Sequence, residues 1–494
     1  MPILILDVPP PTLNPRPLLP ALTLAAFTLA LGLALILSSR IPSRVAYDQK
    51  LYHEPTIRQF ARQWPDFDLW HYKSATTPGY HILEAAVARF ISPSITALQL
   101  VSLLIATTLS FLLGHAAGRR APPLLAIAIT LPFACSVYVV QSSAWLLPDD
   151  LGWLGVLAIL LIALRPRLTL AWLTLGGLIL LALVLVRQIH AWTAGLLWVA
   201  AWLTPSSQEA TADPTTDPLI PLKLVFTDVP RQLTRTLLAV AFTVPALAIL
   251  ALFARYWQGL VPPVFQGWYK GANPAAFVMI LATFGAFSPF FAPLWWPHAL
   301  RLWRTQRTTL LVILALIFVA ACIVPTNHDY EAGRRSGLWN IAAKLPLIAG
   351  HTSPFMLALS MLGALAILAL AAANDPRRRL ILIAAILGYT AASTANHDLF
   401  QRYVDPFALM LFALLSSGGT GLPTGVPFNR LLHYLRPLTP LALSLALLAV
   451  TLNSLRHSDH INDPPPAANL PHEPPAPANL PRPPEPPNHR FWPL

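Results

Sequence analysis

The stretch LLPALTLAAFTLALGLALILSS, Leu18 to Ser39, decides the fold class. It carries no ionisable side chain, and as a helix rising 1.5 Å per residue it crosses the roughly 30 Å hydrocarbon core of a bilayer. Twelve further apolar runs follow, near 95–113, 122–140, 151–164, 168–186, 191–203, 236–254, 275–296, 308–325, 353–373, 380–395, 404–416 and 437–452. The 494 residues are 55% hydrophobic and only 11% charged, with a mean hydropathy of +0.58. That balance excludes a soluble protein of this size and predicts an all-α, polytopic membrane protein with about 13 transmembrane helices.

A net charge of +12 would suggest nucleic acid in a soluble chain. Here the basic residues sit in short loops between apolar runs: GRR (118–120), RPR (165–167), RLWRTQR (301–307), DPRRR (375–379) and the 417–436 loop with Arg430 and Arg436. That distribution orients a chain in a bilayer and argues against nucleic-acid binding. It places those loops in the cytoplasm with residues 1–17 and a 204–235 linker. Cys135 and Cys322 lie inside apolar runs and read as small core residues, with no disulfide or metal role. The first apolar run has no convincing cleavage site after it and reads as a retained helix. The expected organisation is a cytoplasmic segment 1–17, a transmembrane domain 18–452 and a proline-rich, disordered tail 453–494.

The opposite, extracytoplasmic face then receives 40–94, 141–150, 187–190, 255–274, 326–352 and 396–403, which hold almost all the unusual polar chemistry. In 40–94, Asp48 appears as the chain leaves the first helix, followed by Tyr52, His53 and Glu54. KLYHEPTIRQFARQ (50–63) and GYHILEAAVARFI (79–91) read as short amphipathic helices at the interface. In LPDDLGW, Asp149 and Asp150 abut a helix: either they cap it and complement its dipole, or a cation or basic group offsets their repulsion. Arg187 and His190 are three residues apart, so as a helical turn they would face one cavity. Arginine suits bidentate phosphate contact, although a boundary arginine also serves as a snorkelling anchor. Arg334 and Arg402 add positive charge to the same face, as do Lys270, Arg335 and His397. There is no HExxH, no Cys/His cluster at ligand spacing, no P-loop and no dinucleotide fingerprint. GTGLPTG (419–425) is glycine-rich but lacks the lysine and strand context of a phosphate loop.

Taken in order, YHEP (52–55), TTPGYHIL (76–83), LPDDLGW (147–153), RQIHAW (187–192) and QRYVDPF (401–407) resemble the motif set of GT-C membrane glycosyltransferases. The dolichyl-phosphate-glucose α-1,2-glucosyltransferase family is the nearest in pattern. The departures are a lone Asp48 where the family has an acidic pair nearer the aromatic-His element, RQIH for RQTN, and one proline missing from TTPPG. The resemblance implies transfer of a hexose from a polyprenyl-phosphate sugar to a hydroxyl of a glycan or lipid-linked acceptor. Asp48 would be the general base, and Asp149 or Asp150 would orient the acceptor or, with Asp48, bind a divalent ion (Mg or Mn). Arg187, His190 and Arg402 would hold the donor phosphate, with His53, Tyr52 and Arg334 in support. It implies a multi-pass protein of a bacterial plasma membrane or a eukaryotic endoplasmic reticulum, with its site on the extracytoplasmic face and no nucleotide cofactor. The rival expectation is a flippase of lipid-linked saccharides, which would place charges near the bilayer midplane.

Overall fold

A computed structural model describes residues 17–204, 219, 225–267, 271–418 and 429–463. The N-terminal segment 1–16, most of the linker, Lys270, the GTGLPTG stretch and the part of the tail beyond 463 lie outside the described residues. Each of the thirteen apolar runs is helical over most of its length; further short helices lie between them, and the strands among the described residues are two of three residues each. Apolar runs this long leave the backbone no partners but its own, and the helix satisfies them locally.

Among the described residues six helices are long and apolar enough to cross a membrane: Leu18–Leu37, Ile95–Gly118, Val229–Trp257, Ala276–Thr305, Pro354–Ala372 and Leu431–Ser454. A seventh span results if Pro123–Cys135 and Val137–Ala144, bent by 67° at Ser136, count as one. The first of that pair contains Pro132. Several of the remaining runs form shorter helices, among them Asp149–Ala163, Leu170–Val186 and Ala194–Trp202, while Pro376–Thr394 is long enough but carries three arginines in its first turn.

Where helices cross closely, glycine makes the contact. A Cβ on Gly285 would lie 1.9 Å from the Leu359 carbonyl oxygen, and one on Gly363 would lie 2.0 Å from that of Leu281. The Ala276–Phe287 and Pro354–Ala372 helices are therefore in backbone contact through two reciprocal glycines, the small-residue packing that substitutes for a hydrophobic driving force in lipid.

The helix ends gather into two polar layers. At one end lie the arginines of the loops assigned to the cytoplasm, and they do more than orient the chain. Arg377 donates to the carbonyls of Ala163 (3.0 Å) and Ala200 (3.2 Å). Arg378 donates to that of Leu414 (2.6 Å) and Arg301 to that of Ala372 (2.7 Å). The Ala163, Ala200 and Ala372 carbonyls lie in last turns, which have no intrahelical donors, so Arg377 and Arg301 act as C-terminal caps, whereas Leu414 lies four residues before the end of its helix, Gln401–Gly418.

At the other end the chain closes on itself. Strand β1 (Arg40–Pro42), just after the first helix, pairs antiparallel with β2 (Ser458–His460), just after the last. Lys50 Nζ donates to the carbonyls of His460 (3.0 Å) and Asp463 (2.7 Å). This corrects the boundary of the expected disordered tail, which was drawn at 453. Residues 453–463 contain no proline and keep every backbone donor a ladder needs, whereas the proline-rich composition starts only at Pro464.

Candidate functional site

Asp48 closes a short helix, Ser43–Asp48, and a wide π-helical turn, Gln49–His53, follows before the Glu54–Gln63 helix. Such turns recur at functional positions because they break the regular helical register. The segment is pinned to the 141–148 loop from two points. Gln49 Oε1 accepts from Leu146 N (3.1 Å), and Trp145 Nε1 donates to the Arg40 carbonyl (3.2 Å). Lys50 is engaged by the C-terminal strand and the turn after it, through the His460 and Asp463 carbonyls.

The TTPGYH element docks the same loop onto the end of the Leu170–Val186 helix. Thr77 Oγ1 donates to the Val184 carbonyl (2.6 Å), and Thr77 N donates to Gln188 Oε1 (3.0 Å). Gln188 Nε2 returns a bond to the Ala75 carbonyl (2.8 Å). The glutamine of RQIH is therefore a strut, and its neighbour Arg187 is turned loose by an extended backbone at the helix end. The two expected amphipathic helices exist, yet they are packed into the body: Phe60, Tyr80, His81 and Glu84 are buried.

On this frame four distant segments converge. Arg402 donates to Asp48 Oδ2 (2.5 Å) across 354 positions of sequence. Arg187 pairs with Asp149. Tyr403 joins the two pairs: Arg402 donates to its hydroxyl (2.8 Å), and the Arg187 and Arg402 guanidinium groups lie 4.7 and 4.9 Å from its ring centroid. Two acid–arginine pairs thus meet at one tyrosine through their guanidinium groups, and each charge is offset by a partner of opposite sign. Tyr403 is held in turn by Tyr389, whose hydroxyl donates to its carbonyl (2.6 Å).

The other expected site residues divide. Asp149 does not cap its helix, because Pro148 occupies the cap position without a side-chain bond; its carboxylate goes to Arg187 instead. Asp150 is 2% exposed, and neither carboxylate oxygen has a protein partner. His190 is equally buried and sits edge-on to Trp153, centroids 5.0 Å apart. A Cβ on Gly152 would stand 3.0 Å from His190 Nε2 and 3.4 Å from Arg187 Cδ. Both side chains therefore cover the same glycine, as their spacing predicts, although the turn between them is 3-10 rather than α. Tyr52 engages Tyr47 (3.4 Å between hydroxyls) and the ring of Phe265.

Arg334 does not join the cluster. It is committed to its own loop through Asn327 and Asp329. Its neighbour Arg335 pairs with Asp398 (2.8 Å) and lies 5.3 Å from the Phe400 ring centroid, as Arg402 does. A pair of adjacent arginines offers no sequence signal for which one reaches the site. Tyr403 was legible as part of QRYVDPF, but its bridging role depends on contacts with a residue more than two hundred positions away.

His53 and His81 form a buried pair beside the cluster, His53 Nδ1 to His81 Nε2 at 2.9 Å. Burial pushes His53 down to about 4 and His81 well below the ordinary imidazole range, so both are neutral at physiological pH. Among the described residues no group of three His, Cys, Asp or Glu side chains is arranged to hold a metal ion. The two carboxylates that a divalent ion would use, Asp48 and Asp149, each face a guanidinium group instead.

In comparisons with known proteins the chain matches no family model, no curated protein and no solved structure.

Proposed function

We propose that the chain is an integral membrane hexosyltransferase with thirteen membrane passes, the shorter helices included, and a site on the extracytoplasmic face. It moves a hexose from a polyprenyl-phosphate sugar to a hydroxyl of a glycan or lipid-linked acceptor. The observation that carries the reading is the convergence of Asp48, Asp149, Arg187 and Arg402 around Tyr403 at one end of the helices. Charges gathered at helix ends favour chemistry at the interface over passage through the midplane.

The reaction is a single displacement. The acceptor oxygen bonds to the anomeric carbon as the bond from that carbon to the phosphate oxygen breaks. The electron pair leaves on the phosphate and the acceptor proton goes to Asp48. Before donor binds, Arg402 occupies Asp48. An arriving phosphodiester competes for Arg402 and Arg187, because guanidinium groups match phosphate geometry in two points of contact. Donor binding thereby frees Asp48 to act as base, while the two arginines stabilise charge growing on the leaving phosphate. Asp149 keeps Arg187 aimed. Metal enters no step, since the positive charge that a divalent ion would supply is provided by arginine.

Purified protein in lipid nanodiscs or vesicles, given labelled polyprenyl-phosphate hexoses with a glycan acceptor, tests the reading. Donor consumption with label on the acceptor is expected from wild type and not from Asp48→Asn. Labelled lipid crossing the vesicle bilayer intact, with no transfer, would replace the transferase by a flippase.

A further inference from the structure

Behind the arginine cluster runs a chain of buried hydrogen bonds that the displacement reaction does not use. The Tyr72 hydroxyl lies 2.7 Å from His81 Nδ1, and His81 Nε2 lies 2.9 Å from His53 Nδ1. Tyr72 and His81 are essentially inaccessible, and His53 is 9% exposed. The chain has two possible directions, and distance selects between them. Tyr72 has one proton, and its candidate acceptors are His81 Nδ1 at 2.7 Å, the Thr77 carbonyl at 3.3 Å and Thr76 Oγ1 at 3.5 Å. A phenol hydroxyl bond has its optimum near 2.7 to 2.8 Å and weakens beyond 3.0 Å, which favours the direction from Tyr72 to His81.

The remaining protons follow by elimination. With Nδ1 accepting, neutral His81 carries its proton on Nε2 and donates it to His53 Nδ1. With Nδ1 accepting, neutral His53 carries its own proton on Nε2. That atom sits on the far side of the ring from His81 and has no protein partner among the described residues. One π-helical turn, Gln49–His53, carries the chain from Asp48 to His53, and the charges of Asp48, Asp149, Arg402 and Arg187 all act on the His53 ring. A neutral N–H donor among two guanidinium groups matches an anion with oxygen acceptors, and it adds no positive charge to repel the arginines.

Resting on the transferase reading above, we propose that His53 is a third ligand of the donor's phosphate, a neutral donor through Nε2. Tyr72 and His81 are positioning residues that lock its tautomer. The site then has a polarity: phosphate lies against Arg187, Arg402 and His53, and the attacking hydroxyl lies toward Asp48.

Farnesyl methyl phosphate, a phosphodiester whose charge does not change between pH 5.5 and 8, is the probe. Its binding is measured by calorimetry on protein in nanodiscs. Wild type should bind with an affinity that His53 leaves independent of pH over that range. His53→Phe, which removes the donor, should weaken binding about tenfold, the usual effect of one hydrogen bond to a charged group. His53→Gln, which keeps an N–H, should recover part of the loss, and Tyr72→Phe should weaken binding several-fold without lowering the thermal midpoint to the same degree. Equal binding by wild type and His53→Phe overturns the inference and leaves the transferase reading standing. So does an affinity that tightens tenfold from pH 8 to 5.5, since that marks a protonated imidazolium. Failure of wild type to bind any phosphodiester, with Arg187→Ala unchanged from it, removes the underlying reading as well.

Discussion

Asp48, Asp149, Arg187 and Arg402 are four ordinary ionisable residues until their partners are known. Each carboxylate meets one guanidinium group, and Tyr403 touches both arginines. Removing one member of the more buried pair, Arg187–Asp149, leaves the other charge uncompensated, whereas the partly exposed Arg402–Asp48 pair is screened by solvent. Asp48→Asn keeps the shape and loses the proton acceptor. It should cut transfer by about 10²- to 10⁴-fold, the range for loss of a general base, with donor binding retained; a single-turnover assay separates the two. Arg187→Lys should fail where a point charge would suffice, because lysine offers neither the planar fork nor stacking on Tyr403. A transfer rate within twofold of wild type in that variant would show that the fork is unnecessary. Chelation with EDTA should leave transfer unchanged, and restoration by Mg or Mn after a loss would put an ion back among Asp48, Asp149 and substrate.

At the scale of elements, the outer loop that carries Asp48 is held at both ends. The TTPG stretch bonds to the end of the Leu170–Val186 helix, and β1 bonds to β2. Removing residues 464–494 leaves that ladder whole and should leave transfer intact, whereas removing 456–494 deletes β2 and should reduce it; comparing the two truncations in one assay reads the contribution of the ladder. The Gly79–Phe90 helix contains Glu84, which burial pushes up to about 8 from 4.5. A carboxyl raised in the folded state holds its proton where the unfolded chain has lost it. Stability from this group is therefore full below about pH 4.5 and declines as pH rises toward 8. The thermal midpoint of wild type should fall over that window, and Glu84→Gln should flatten the fall; identical slopes would mean that Glu84 is not the group responsible. The reciprocal glycines make a further test. Gly285→Val forces two helix backbones apart and should cost about 1–3 kcal/mol, the usual penalty of overpacking, seen as a lower thermal midpoint.

Over the whole molecule, the helices sort polar groups into two opposite layers, with arginine caps at one end and the acid–arginine cluster at the other. Cysteines placed at Ser92, Glu331 and Asp459 should react with an impermeant thiol reagent from one side of a sealed vesicle. Cysteines at Arg119 and Arg167 should react only from the other. Labelling of both sets from one side would break the two-layer arrangement.

The helical, membrane-borne character of this protein was present in the sequence, because an uninterrupted apolar run has one stable way to bury its backbone in lipid. The polar segments at helix exits, Asp48 among them, also stand out in the sequence against their apolar neighbours. The basic loops are legible in the sequence, but the work of Arg377 and Arg301 as caps on the helix ends near 163, 200 and 372 is not. Which charges pair was equally invisible: Asp48 and Arg402 are 354 positions apart, and nothing local distinguishes Arg334, held in its loop, from Arg335, which reaches Asp398. The order of Tyr72, His81 and His53 along a hydrogen-bond chain, and the pairing of β2 with β1, were also decided by tertiary contact. Composition and periodicity report the solvent that each residue prefers. Partners depend on distances between segments, and those exist only once the helices are packed.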